Sequence, residues 1–183
     1  TLTAPSRARL RAAPAPFPSP TRRSIIATPD FVLSLRERIG NELLWMPGVT
    51  ALVLDRERTR MLAVRRSDDG SWTPVTGIID PGEEPAHAAV REVAEEAGIR
   101  CTAVRLIDVR ALPEVTYDNG DRAQYLDLCL LCEADGAQEP WPADGENTAA
   151  QWFPVHEPPP MNDRFAAQLA LALEDRPEAR FRR

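Results

Sequence analysis

Residues 82–98, GEEPAHAAVREVAEEAG, place five glutamates within seventeen residues, around a short apolar run. Pro85 near the start and Gly98 at the end are typical of the first turn and the C-terminal cap of a helix, so we expect a helix over 84–97. The apolar residues of this helix share one face, which predicts the side that packs on a sheet. They are Ala86, Val90, Val93 and Ala97.

Three of the glutamates, Glu92, Glu95 and Glu96, fall together on the neighbouring arc of the same helix. Like charges at this spacing destabilise a helix by roughly a few tenths of a kcal/mol per pair. One interpretation is a solvated acidic face on which Arg91 pairs with Glu95. The other is a site for a hard divalent cation, because Mg²⁺ prefers oxygen ligands and carboxylates one turn apart supply two or three of them.

Apolar, β-branched runs on both sides of this helix predict strands. We expect strands at 48–55, 60–66, 71–77, 101–112, 122–134 and 149–155. We also expect helices at 165–175 and at 29–44, where Phe31, Leu35, Ile39 and Leu43 share one face. Paired strands with two or three helices between and after them predict a layered α/β domain.

Composition divides the chain into unequal parts. Residues 1–27 include APAPFPSP and lack periodicity, which predicts a flexible arm rich in proline and arginine. We expect residues 28–178 to form one domain and 179–183 a tail. The first 29 residues hold five arginines and no acid, so the remainder has 17 arginines against 28 acids, a net charge of −11.

That acidic body argues against nucleic acid as a partner. No run approaches the roughly 18 apolar residues of a membrane span, and the N-terminus lacks an apolar signal-peptide core. We therefore expect a cytoplasmic protein that does not bind membranes. Of the three cysteines, Cys129 and Cys132 have ligand-like spacing, but residues three apart on a strand point to opposite faces, which favours buried thiols over a zinc site.

The acidic segment also carries a longer spacing pattern. Gly77 is followed after five residues by Glu83, and after seven more by REVAEEAGI, from Arg91 to Ile99. This pattern matches the Nudix box at every defined position, and the chain resembles a Nudix hydrolase over roughly residues 46–160. It departs from the family in having Val-Thr-Gly before the box, where members often have Pro-Gly-Gly. The resemblance implies an α/β/α sandwich with a mixed sheet, mainly antiparallel and partly parallel.

By the same resemblance, the expected reaction is hydrolysis of the diphosphate linkage in a nucleoside diphosphate derivative, with Mg²⁺ as cofactor and Mn²⁺ as an alternative ion. Carried over by position, Glu92 and Glu96 are expected to bind the ion directly. Glu95 is expected to be a further ligand or the base that deprotonates water. A backbone carbonyl at Thr76 or Gly77 completes the expected set.

Arg91 and Glu83 are expected to orient the metal ligands, or in the simpler interpretation to form only an ion pair. Family members vary in the position of the general base, and some use an acid from a later loop. The candidates here are Glu114, Glu139 and Glu146. We favour Glu146 because DGENTAAQWF resembles a recurring segment of the family.

The residues that contact substrate are expected to lie outside the box. Arg65 and Arg66 are candidates to clamp phosphates, and Trp72, Tyr117 and Trp141 are candidates to stack a base. A packing role is an equal alternative for each of them.

Two spacings point to different substrates. Pro113, fourteen residues past Ile99, resembles ADP-ribose pyrophosphatases, whereas Tyr117, eighteen past, resembles dinucleoside polyphosphate hydrolases. We favour a nucleotide sugar such as ADP-ribose, with (d)NTP house-cleaning or a non-catalytic nucleotide sensor as alternatives. A homodimer that uses the helix at 29–44 is a further expectation, because dimers are common in the family.

Overall fold

The computed structural model describes residues 28–174 and 176–180, so the predicted arm at 1–27 lies outside the described residues. These residues form three helices and eight strands. They are α1 (Asp30–Ile39), β1 (Leu44–Asp55), β2 (Arg60–Arg66), β3 (Trp72–Thr73), β4 (Val75–Ile78), α2 (Pro85–Ala97), β5 (Cys101–Ala111), β6 (Val115–Thr116), β7 (Arg122–Ala134), β8 (Asn147–Pro154) and α3 (Asp163–Leu173). No helix among these residues is long and apolar enough to cross a membrane.

The strands form one sheet in the order β3-β2-β1-β7-β5, with β4 also paired to β1, β6 to β7 and β8 to β2. Strands β1 and β7 run parallel along their length, from Leu44 opposite Ala123 to Asp55 opposite Ala134. The other pairs of these strands are antiparallel. This confirms the predicted mixed sheet.

Helices α2 and α3 cover opposite faces of the sheet, because both faces of the long central strands are apolar. Val49 of β1 belongs to the same buried cluster as Val93 of α2. Leu52, three residues farther along β1, belongs to the cluster that contains Leu169 of α3. The predicted α/β/α layering is confirmed. Cys132 lies in the core under α2 and Cys129 in the core under α3, so these two thiols are buried on opposite faces as predicted.

Helix α1 is shorter than predicted and ends at Ile39. Gly40 follows with a φ of 57°, and its N–H donates to the carbonyl of Arg36. From Leu44 the chain is already paired with β7, so parallel pairing replaces the expected last turn. The predicted apolar face is only partly confirmed, because Phe31 packs on the cluster that contains the buried Val32, whereas Leu35 is exposed.

Other boundaries differ for local reasons. The expected strand at 71–77 is divided into β3 and β4 at Pro74, which has no N–H to donate to a sheet. Helix α3 begins earlier than predicted because Asn162 Oδ1 accepts the N–H of Phe165 at 3.1 Å, which caps the helix. Strands β2 and β7 have the predicted bounds. In the predicted tail, the N–H of Arg180 donates to the carbonyl of Ile107 on β5.

A buried aspartate joins the sheet to α3. Asp127 of β7 is 3% exposed. Its Oδ1 accepts from Thr50 Oγ1 at 2.6 Å, and its Oδ2 accepts from Gln168 Nε2 at 2.9 Å and Arg164 Nη1 at 3.1 Å. Three donors from β1 and α3 therefore converge on one carboxylate.

We predict that Asp127→Asn lowers the free energy of unfolding by about 3 kcal/mol. The NH2 group of asparagine would take the place of an oxygen that now accepts hydrogen bonds, so buried donor groups would lose their acceptor. Urea unfolding measures this change. Asp118→Asn, at an exposed position in the loop after β6, is the matched control and should shift stability by less than about 0.5 kcal/mol. Equal small effects in both variants would show that the network does not stabilise the fold.

Candidate active site

Helix α2 turns two of its carboxylates toward the sheet. Its buried residues are Ala88, Ala89, Val93, Glu96 and Ala97. Ala86, predicted to face the sheet, is exposed, so that prediction was wrong. The buried face is instead centred near Ala89, which lies about one turn before Glu92 and about two turns before Glu96. The Glu92 side chain is 15% exposed, and Glu96 as a residue is 7% exposed.

Gly77 on β4 makes room for Glu92. A Cβ built at Gly77 would lie 2.1 Å from both Cδ and Oε1 of Glu92. Gly77 of β4 is paired with Val49 of β1, in the centre of the sheet. This strand pairing fixes the position of the backbone at Gly77. Any side chain at this position would push the carboxylate away, which gives a physical reason for the glycine.

Arg91 ties the helix to the loop before it. Its Nε and Nη2 donate to the two oxygens of Glu83, each at 2.9 Å. Nη2 also donates to the carbonyl of Ile78 at 3.1 Å, and Nη1 donates to Glu92 at 2.9 Å and to Glu95 at 3.0 Å. The pKa of Arg91 is raised and that of Glu83 is lowered, in each case mainly by the hydrogen bonds between them.

Glu96 has a different partner. Its Oε2 accepts a hydrogen bond of 2.8 Å from Nδ2 of Asn147, the first residue of β8, and both residues are buried. Asn147 is not among the site residues that the sequence predicted. The available signal was its place directly after Glu146, inside the segment that resembles the family.

A loop that precedes β8 is bound to the end of α2. The N–H groups of Trp141 and Ala143 donate at 3.1 Å to the carbonyls of Ala97 and Glu96. Farther along, the carbonyl of Glu146 accepts from the N–H of Ser67 at 3.0 Å. These contacts bring the end of the loop toward the acidic arc of α2.

Burial is the main influence on the pKa values of the two enclosed carboxylates, Glu92 and Glu96. Burial raises the pKa of Glu92 to about 7, against the lowering effect of Arg91. Burial also raises the pKa of Glu96 well above its ordinary value, partly offset by the bond from Asn147. Partial desolvation and then the charge of Asp144 raise the pKa of Glu146, although much of that residue is exposed.

Within residues 28–174 and 176–180, no three His, Cys, Asp or Glu side chains are already gathered around one point as a ligand set. The oxygen ligands that this arc offers nevertheless suit a hard divalent cation. Glu92 and Glu96 offer oxygens one helical turn apart, and burial disfavours their charged forms until a cation neutralises them. Glu95, on the same helix, is 51% exposed and paired with Arg91.

The two arginines predicted to bind phosphate lie at the end of β2. Arg66 donates through Nε to Asp68 Oδ1 at 2.9 Å. That hydrogen bond raises the pKa of Arg66, and the charge of Glu96 contributes in the same direction, so Arg66 is within electrostatic range of the acidic arc. Arg65 is exposed, and its Nε donates to the carbonyl of Gly70 at 3.1 Å.

The predicted stacking residues do not gather at this arc. Trp72 packs edge to face on Phe153, with ring centroids 4.8 Å apart, in the core on the α3 side of the sheet. The hydroxyl of Tyr117 is 2.8 Å from that of Tyr125. Trp141 is 57% exposed and lies over Gly98, close to the end of α2.

Of the alternative base candidates, Glu114 is paired with Arg122, at 2.6 Å from its Nε. Glu139 is exposed, in the loop after β7. Glu146 is therefore the candidate outside α2 whose electrostatic interactions include the acidic arc.

The family model for the NUDIX domain matches residues 44–173. The chain belongs to the NUDIX family. It is a Nudix hydrolase, which acts on pyrophosphate bonds. Members of the family generally depend on a divalent metal and act on substrates derived from nucleotides.

Individual proteins that are similar to this chain support the same family assignment. A MutT-like protein of Streptomyces ambofaciens is 33% identical over 123 residues, which cover 67% of this chain and 71% of that protein. Nudix hydrolase 6 of Arabidopsis thaliana is 31% identical over 137 residues, which are 68% of this chain and 47% of that protein, so this Nudix hydrolase spans about half of it. The crystal structure of an ADP-ribose pyrophosphatase from Streptococcus suis has the same fold, with a TM-score of 0.57 and 22% identity, and the alignment covers 75% of this chain and 98% of the other.

The raised pKa of Glu92 predicts how the stability of the metal-free enzyme depends on pH. A carboxyl group with a higher pKa in the folded than in the unfolded chain favours folding most at low pH. That stability is lost as the pH rises from the ordinary value of 4.5 toward about 7. In EDTA, Glu92→Gln should therefore be more stable than wild type at about pH 8, by about 1–3 kcal/mol, and similar to it at about pH 4.

Urea unfolding at the two pH values measures this difference. The matched control is Glu95→Gln, since Glu95 lies on the same helix but is half exposed. A Glu92→Gln protein with the same pH dependence as wild type would show that Glu92 does not titrate as a desolvated group.

Proposed function

We propose that this Nudix hydrolase cleaves the diphosphate linkage of a nucleoside diphosphate derivative, with a divalent cation held by Glu92 and Glu96. The observation that carries the proposal is the burial of these two carboxylates one turn apart on the sheet side of α2. Bare carboxylates would repel a negatively charged diphosphate. A divalent cation held by Glu92 and Glu96 would offset that repulsion, and Mg²⁺ suits an all-oxygen donor set.

When bound, Mg²⁺ would withdraw charge from the diphosphate and lower the pKa of water. Arg91 and Glu83 hold Glu92 and Glu95 in place through the contacts described above. The carbonyl of Gly77 or of its neighbour Thr76 on β4 is a further candidate ligand.

Hydrolysis forms a bond from a water oxygen to one phosphorus and breaks the bridging P–O bond, and a base takes the water proton. Glu95 and Glu146 are the two candidates for this base. The pKa of Glu146 is raised, mainly by partial burial, which is the direction that favours a general base. Glu95 is more exposed and is tethered by Arg91.

For the substrate we infer a nucleotide sugar such as ADP-ribose. Support comes from the spacing of Pro113, which lies in the exposed loop after β5. Arg66 is the candidate to bind a phosphate of this substrate. Its guanidinium group interacts electrostatically with Glu96, so it lies within range of the proposed cation site. The homodimer and the cytoplasmic location remain predictions.

Glu92→Gln and Glu96→Gln should each reduce the Mg²⁺-dependent rate by orders of magnitude, because the neutral amide is a poor ligand for a hard cation. The measurement is steady-state hydrolysis at saturating Mg²⁺, with circular dichroism to verify folding. Glu84→Gln removes an exposed glutamate at the N-cap of α2 and should leave the rate unchanged. A double variant of Glu92 and Glu96 that retained near wild-type activity would refute the assignment.

The substrate class is tested by chromatography of the products from ADP-ribose, other nucleotide sugars, dinucleoside polyphosphates and (d)NTPs, with Mg²⁺ or Mn²⁺. We expect the highest kcat/KM with ADP-ribose, which yields AMP and ribose 5-phosphate, and no product from Glu96→Gln. A higher kcat/KM for (d)NTPs would replace the nucleotide sugar with a triphosphate. Tight nucleotide binding with no hydrolysis of any compound would identify a sensor.

A further inference from the structure

The last turn of α2 is bound from outside the helix. The final carbonyls of a helix have no partner within it. Here those of Glu96 and Ala97 accept from the N–H groups of Ala143 and Trp141, both at 3.1 Å. Backbone hydrogen bonds from the segment 141–147 thus hold the last turn of α2, which carries Glu96.

The same segment ends in a side-chain contact to that glutamate. Asn147 is 7% exposed and donates from Nδ2 to Glu96 Oε2 at 2.8 Å. Its backbone position is fixed as well, because Asn147 is paired with Arg66 at the β-bulge where β8 meets β2. The donor is therefore part of the sheet, while the acceptor belongs to the helix.

A neutral amide suits this place for an electrostatic reason. An arginine or lysine beside Glu96 would neutralise the carboxylate and repel a divalent cation. An amide donates a hydrogen bond without adding charge. It engages one lone pair of Oε2 and leaves both lone pairs of Oε1 for a ligand bond.

We propose that Asn147 is a positioning residue of this hydrolase, which fixes the rotamer of Glu96 so that Oε1 is presented to the divalent cation. The proposal rests on the function proposed above. It extends the site from one helix to two elements, α2 and β8, with the segment 141–147 joining them.

The test uses Asn147→Leu in the full chain, since leucine has a similar shape and no donor. Mn²⁺ is the probe, and its dissociation constant is measured by electron paramagnetic resonance of the unbound ion. We expect this constant to rise about 10- to 100-fold, as is typical when an outer partner of a metal ligand is lost. The rate should fall at low Mn²⁺ and recover toward the wild-type kcat at saturating Mn²⁺, which loss of structure alone would not produce.

Asn162→Ala is the matched control, because it also removes an asparagine hydrogen bond, at the N-cap of α3. It should lower the unfolding temperature and leave the Mn²⁺ dissociation constant unchanged. If leucine prevents folding, Asn147→Ser keeps a small polar residue with a shorter reach and should weaken Mn²⁺ binding in the same direction.

Suppose that Glu96→Gln loses Mn²⁺ binding but a folded Asn147 variant binds Mn²⁺ with wild-type affinity. That result would overturn the role of Asn147 and leave the proposed function intact. An equal loss of affinity in Asn162→Ala would also overturn that role. If wild type binds no Mn²⁺, or if Glu96→Gln binds it as wild type does, the proposed function fails and the role of Asn147 fails with it.

Discussion

Burial of two carboxylates between a helix and a sheet is the constraint on which this site depends. Glu92 fits against β4 only because Gly77 has no side chain. Glu96 is enclosed still more completely, beside the amide of Asn147. Removing carboxylates from water is unfavourable unless positive charge or hydrogen bonds compensate. Arg91 supplies part of that compensation for Glu92. In the proposed function, a bound cation would supply the remainder.

The fold supplies the rigid frame that such an arrangement needs. Gly77 is held opposite Val49 by the register of β4 on β1, and Asn147 is held opposite Arg66 by the register of β8 on β2. Helix α2 lies across this frame, with Arg91 tying it to the preceding loop. Side chains on rigid, mutually braced elements lose less entropy when they bind a ligand.

The spacing of the Nudix box, taken with the family resemblance, predicted contacts within one helix and its leading loop, and the ion pair of Arg91 with Glu83 is one of them. The positions of Gly77, Glu83 and Arg91 in the sequence predicted a group of residues that the structure brings together. Periodicity alone was not sufficient to orient the helix, because the Ala-rich segment offers small residues on several sides. The face centred on Ala89 is buried, and Ala86 is exposed.

Contacts between distant segments were the part that sequence patterns did not reveal. Asn147 reaches Glu96 across 51 positions of the chain, which no local period encodes. Trp72 lies on the α3 side of the sheet because its pairing with Arg65 of β2 places it on the same face as Met61 and Ala63. Helix α1 ends early because parallel pairing with β7 competes with helix propensity, which is a tertiary effect.

The most direct test is to locate the cation in crystals grown with Mn²⁺, from anomalous diffraction measured on both sides of the manganese absorption edge. We predict a peak within bonding distance of a carboxylate oxygen of both Glu92 and Glu96. A manganese peak elsewhere on the protein, with none beside these two glutamates, would contradict the view that their burial serves to bind a divalent cation.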